Sequence, residues 1–217
     1  MKQIQVKALT HNGEMPTLDE VGKLLEEQTS LISIDTVNWS EYGYKPEVKA
    51  RIGYWGKQIW IKFYVREKNI LARTTSVNGD VYKDSCVEFF LSPRDNGYYY
   101  NFEFNCIGTP HVGYGGGRHN REHISPFYVN QIQRKSSLGD LPFGEQTGDF
   151  SWDLTVVIPK SVFVNDVVAN FSGLESKGNF YKCGDETSDP HFVTWNPIDT
   201  ETPDYHQYSS FGSILFE

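Results

Sequence analysis

The run from Cys86 to Asn105 constrains the fold more than any other stretch of the chain. Within it, VEFFL and YNFEFN alternate around the turn-forming SPRDNG, the pattern of two strands joined as a hairpin. Successive side chains of a strand point to opposite faces, so Val87, Phe89 and Leu91 share one face, and Tyr100, Phe102 and Phe104 form the matching apolar set. Cys86, Glu88 and Phe90 then lie on the reverse face with Asn101, Glu103 and Asn105. A one-residue slip would turn the carboxylates into the core, so the loop leaves the register open but not the faces. Charged residues are rarely buried without partners, so this reverse face is neither plain core nor plain solvent.

The rest of the chain extends the β pattern. SLISID precedes VKARIGYW and QIWIKFYVRE, which are joined by a tight turn around Gly56 and Lys57, and the hairpin is followed by YVNQIQRK, FSWDLTVVI, VVANFSG, NFYKC, HFVTW and SILF. One helix is predicted, where Thr17 and Glu20 make a capping box ahead of Leu18, Val21, Leu24 and Leu25, ending near Gln28. Short strands punctuated by Gly, Asn, Asp and Pro predict an all-β chain, a β-sandwich with a jelly-roll-like arrangement. Its 217 residues suffice for one well-buried domain over residues 1–217. Two segments lack periodicity, Thr109 to Phe127 and Gly184 to Phe211, and long loops of this kind commonly carry function.

Composition narrows the partners. A formal net charge of −8 and the lack of any Lys/Arg run argue against nucleic acid. No run of 18 apolar residues occurs and MKQIQVKALTHNGEMP has no apolar leader region, so neither a membrane partner nor export is expected, and the location expected is cytoplasmic. The three cysteines are an odd number, and Cys86 and Cys106 fall on opposite faces of the hairpin, so free thiols are expected.

Several constellations fail their own chemistry. GYGGG, Gly113 to Gly117, has Arg118 where a nucleotide loop needs a glycine and lacks the strand-loop-helix context. His111, His119 and His123 with Glu122 read as solvated loop residues, because HNREH has neither the order nor the helix of a zinc protease. Cys86 beside Asp84 and Ser85 carries no nucleophile signature. The one ion the residues offer a place to is calcium, through carboxylates around Asp185 and Asp189. Glu88 and Glu103 fit two readings: the acid and base of a small glycoside hydrolase, which need to stand about 5–10 Å apart, or acceptors of hydrogen bonds from sugar hydroxyls without chemistry. Aromatic residues make up 15% of the chain, with 13 Tyr and 5 Trp, a supply that suits stacking on flat ligands as well as core packing.

Four stretches carry a resemblance: YKDSCVEFFLSP followed by YYNFEFNCIG, then NFYKCGDETSDPHFVTWNP, then PDYHQYSSFGSILFE. Together they resemble the family 9 carbohydrate-binding modules, in particular the single-domain, family-9-like proteins of gut bacteria, whose sandwich is related to DOMON-type domains. The resemblance implies non-catalytic binding of a terminal sugar, typically the reducing end of a glucan or xylan, clamped between two aromatic rings. By motif position Tyr82 and Tyr205 stand where the family has its clamp tryptophans, Glu88 matches its sugar-binding glutamate, and Lys182 falls where a polar ligand contact is expected. His206, beside Tyr205, joins this set. Glu103 departs from the pattern, standing where the family has a sugar-binding arginine. Two carboxylates on one face repel, so either a cation bridges them, calcium or the Lys182 ammonium, or one of them holds its proton. A DOMON relationship also raises haem, but Met1 and Met15 are the only methionines and precede the sandwich, which leaves no Met–His axial pair.

Overall fold

The computed structural model describes residues 1–217. The first sheet contains β6 (Cys86–Ser92), β7 (Tyr99–Asn105), β8 (Pro110–Gly115), β9 (Arg121–His123), β12 (Glu175–Cys183), β13 (Phe192–Thr194) and β14 (Gly212–Phe216), with the two-residue β3 (Thr36–Val37) on β13. The second holds β4 (Glu47–Trp55), β5 (Gln58–Ala72), β10 (Gln133–Ser136) and β11 (Phe143–Pro159), with the short β2 (Ile32–Ser33) on β4. β1 (Gln3–Ala8) joins them. Its first residues pair in parallel with β14 and its last two with β4.

Strand periodicity explains the layers. Val87, Phe89 and Leu91 meet Phe102, Phe104 and Phe180 on the inner face of the first sheet, and Ile59, Ile61, Phe63 and Val65 face them from β5. Trp60, on the opposite face of β5, packs instead with Val21 and Leu25 of α1 (Leu18–Gln28). That helix begins where the capping box places it: the Thr17 side chain accepts from Glu20 N–H while the Glu20 carboxylate receives the Thr17 N–H. The β4–β5 turn puts Gly56 at φ 56°, a conformation glycine adopts without steric cost. No helix is long and apolar enough to cross a membrane.

Three local expectations need correction. The start of YVNQIQRK is helical, because Ser125 caps the short α2 (Pro126–Val129) with proline at its first turn, and only Gln133–Ser136 is strand. VVANFSG forms no strand, although Val168 and Phe171 are buried in the core. Thr109 to Phe127 is not one long loop, since it contains β8, β9 and the start of α2.

The outer face of the first sheet positions the site. A second apolar cluster, with Trp39, Phe90, Tyr99, Tyr181, Ile198, Tyr205 and Phe211, covers much of that face. Consequently β6 and β7 are buried along their whole length on both sides. Glu88 and Glu103 lie on this outer face, beside Cys86 rather than Cys106, and all three cysteines are free.

Candidate functional site

β6, β7 and β12 run side by side, and their outward residues form the floor of a cleft of about 290 Å³. Glu88 and Glu103 are directly opposite in the β6–β7 register, where Cβ atoms stand about 4.5–5.5 Å apart. Glu88 is 3% exposed and Glu103 5%. Glu103 accepts a hydrogen bond from Asn101 Nδ2 at 2.7 Å, whereas the only hydrogen bond to Glu88 comes from Cys183 Sγ at 3.2 Å. Burial, and after it the Glu103 carboxylate, push the Glu88 carboxyl well above the usual carboxylate range. A proton held on Glu88 reduces its repulsion with Glu103.

One wall is organised by Arg121 on β9. Its guanidinium donates to Asn101 Oδ1, to Gly117 O at 3.0 Å and to His206 Nδ1 at 3.0 Å, and lies 4.8 Å from the centre of the Tyr99 ring. The chain Arg121 to Asn101 to Glu103 therefore carries a cation's influence to the floor by hydrogen bonds. Glycines make this approach feasible. A Cβ on Gly113 would meet Asn101 Oδ1 at 2.7 Å, and one on Gly115 would meet Arg121 Cβ at 2.5 Å.

His206 is fixed by the same arginine. Because guanidinium only donates, Nδ1 must be the unprotonated nitrogen, which leaves Nε2–H as the donor of the neutral ring. Tyr99 Oη also lies 3.0 Å from Nδ1. Burial, then Arg121 and Arg118, hold the ring neutral by lowering its pKa from 6.5 to about 3. Between those values the unfolded chain binds a proton that the folded one refuses, so this residue makes stability rise with pH across that window. His206→Asn is expected to flatten the rise, measured as unfolding free energy against pH. A variant curve parallel to the wild type would show that His206 titrates normally.

The other proposed ligand residues divide. Tyr82, half-buried, lines the cleft, as do Glu88, Glu103, Tyr205 and His206. Tyr205 has one ring face taken: it stacks on Tyr181 at 4.2 Å with an interplanar angle of 8°, and its hydroxyl donates to Lys182 O. Lys182 is absent from the cleft. Tyr181 and Cys183 take the outer face, so alternation turns Lys182 into the sandwich, where its Nζ lies 2.8 Å from Glu67 Oε2 and 2.6 Å from His191 Nε2. It cannot bridge Glu88 and Glu103. Asp185 lines the cleft and burial raises its carboxyl to about 6, but Asp189 accepts instead from Asn69 Nδ2, so the two do not converge as a calcium site. His111 and His123 both line the cleft, their rings 4.8 Å apart, while His119 is exposed outside it.

The family model described as carbohydrate-binding family 9 matches residues 19–216. The chain belongs to that family. No curated protein matches it. Among solved structures, a protein of Bacteroides uniformis ATCC 8492, provisionally named carbohydrate-binding, is 40% identical with a TM-score of 0.95, over 100% of this chain and 99% of that one. Family 9 modules of Caldicellulosiruptor kristjanssonii share the fold at 12% identity: the complex with glucose at a TM-score of 0.59, over 100% and 96% of the two chains, and the complex with cellotriose at 0.60, over 100% and 94%.

In this family 9 protein Arg118, Arg121, Phe192 and Asp204 also line the cleft, although no motif marks them as ligand contacts. Arg121 had a visible signal. Alternating glycines within a strand mark a place where another group approaches the backbone closely, and Gly113 and Gly115 mark the approach of Arg121.

Proposed function

We propose that the cleft binds the terminal sugar of a plant-type glycan, a glucan or xylan oligosaccharide, without altering it. The observation that carries this reading is the placement of Glu88 and Glu103 side by side on one floor, among fixed donors and acceptors. A hydrolase needs its two carboxyl groups flanking the scissile bond, whereas neighbours on one sheet face address a ligand from the same side. A volume of about 290 Å³ lies at the small end of ligand sites, about 300–1,000 Å³, and suits one sugar ring with the remaining chain directed to solvent. Arg118 and the Nε2–H of His206 offer donors, while Glu88, Glu103, Asp185 and Asp204 offer acceptors, a mixture matched to hydroxyls that do both. Family 9 relatives in complex with glucose and cellotriose support the glucan side of the proposal.

The aromatic contact is one-sided in this reading. Tyr82 supplies the ring on which a pyranose face rests, and Tyr205, held flat against Tyr181, supplies an edge beside Phe192. Calorimetry with glucose, cellotriose and xylotriose, each beside its reduced alditol, tests the function. Binding of a sugar but not its alditol identifies reducing-end recognition. Tyr82→Ala is expected to weaken binding about fivefold or more, since stacking contributes on the order of 1 kcal/mol. Absence of binding to every glycan tried would overturn the proposal, and release of hydrolysis products would replace it with the hydrolase.

A further inference from the structure

At the floor of the cleft Glu88 adjoins two thiols that sugar recognition leaves unused. Cys86 and Cys183 are direct partners in the β6–β12 register, and Glu88 follows Cys86 on the same face. Their sulfur and carboxylate atoms lie within 4.8 Å of one another, and the two cysteines are 0% and 1% exposed. In a tetrahedral zinc site, bonds of about 2.3 Å to sulfur and 2.0 Å to oxygen set donor separations of about 3.5–3.8 Å. Cys183 Sγ already lies 3.2 Å from a Glu88 oxygen, so small side-chain rotations complete the geometry. Asp185, two residues after Cys183, lines the same cleft.

A second observation points to a cation. Glu88 is 3% exposed, yet neither an N–H group nor a cation reaches it, and its single hydrogen bond comes from a thiol. Buried carboxylates are normally paired or bound to metal. The one nearby ammonium, that of Lys182, is committed to Glu67 on the other side of the sheet.

We propose that Cys86, Cys183 and Glu88, completed by Asp185, form a zinc site at the floor of the cleft. Paired sulfur donors select zinc over calcium or magnesium, which prefer all-oxygen shells. Burial favours the protonated form of both thiols, Cys86 being pushed up to about 12. Zinc binding replaces each S–H bond with an S–Zn bond and the Glu88 O–H bond with an O–Zn bond, and releases the protons to solvent. The ion also neutralises the paired carboxylates of the floor, and its presence does not depend on which glycan, if any, the cleft takes.

Cobalt(II), added to reduced, chelator-treated full-length protein, tests the site. One equivalent is expected to produce the near-ultraviolet thiolate-to-cobalt charge-transfer band, which zinc then abolishes and calcium does not. Cys86→Ser and Cys183→Ser should each lower zinc affinity by more than about 100-fold, because loss of a group that merely orients a ligand already costs about 10–100-fold. Cys106→Ser should leave the band intact, since Cys106 Sγ points to Leu71 O on the other side of the sheet. Absence of the band in the wild type, or its persistence in Cys86→Ser and Cys183→Ser, would overturn the site. Should those variants fail to fold, zinc calorimetry of the wild type in buffers of different ionisation enthalpy decides: release of about two or more protons per zinc supports thiolate ligation, and uptake with one proton or none, which the Glu88 carboxyl alone accounts for, rules that ligation out.

Discussion

Lys182→Met is expected to destabilise the fold by about 3–5 kcal/mol, the usual result of removing one partner of a buried ion pair, while leaving glycan affinity within about twofold. Lys182 is 0% exposed, its Nζ 2.8 Å from Glu67 Oε2, and it also donates to Cys183 O and His191 Nε2. That last bond makes Nε2 the unprotonated nitrogen of His191, while Nδ1–H donates to Asp189 O at 2.9 Å. Burial and the Lys182 charge hold this ring neutral. Methionine preserves the length and the packing but leaves Glu67 with the Trp152 Nε1 hydrogen bond as its remaining support. For a chain of this size the loss corresponds to a fall of about 6–20 °C in Tm. Adding Glu67→Gln should restore much of the stability, because it removes the uncompensated charge rather than the packing. Denaturant unfolding and calorimetry on the same samples check both halves. A variant of unchanged stability and reduced affinity would return Lys182 to the binding site.

Lys182 also shows where a sequence stops being legible. The period of two that assigned Glu88 and Glu103 to one face also operates in NFYKC, and it sets Lys182 with Phe180 and against Tyr181 and Cys183. What makes a lysine tolerable on the core side is Glu67 of β5, a contact between distant strands that no local pattern announces. The hairpin faces and the α1 capping box were readable because each depends on residues a few positions apart. β8 and β9 were not, because the glycines of β8 admit Arg121 and leave no sustained apolar alternation to read. Motif position set Tyr205 among the ligand residues and it lines the cleft, but whether a ring face is free depends on what stacks against it, and Tyr181 occupies one face. The pairing of Cys86 with Cys183 likewise required the order of strands, since β12 lies beside β6 only in the folded sheet.

Arg121→Ala is expected to weaken glycan binding by about 100-fold or more while the sandwich remains folded. The residue need not touch the sugar to have this effect. It orients Asn101, which holds Glu103, and it fixes the tautomer of His206, so one substitution loosens three polar groups of the cleft. Hydrogen bonds to charged groups contribute about 1.5–3 kcal/mol each, and two of them end at side chains that line the cleft. Arg121→Lys is expected to recover little, because a compact ammonium does not reproduce a planar fork that spans Asn101, Gly117 and His206 together. The pKa of His206 gives a readout independent of affinity. Arg121 is the second cause of its depression after burial, so in the alanine variant the histidine should titrate above about 3 yet below 6.5, visible by NMR. A shifted His206 with intact affinity would mean that the wall is built as described but that the sugar does not use it. Intact affinity with an unshifted His206 would remove Arg121 from the organisation of the cleft altogether.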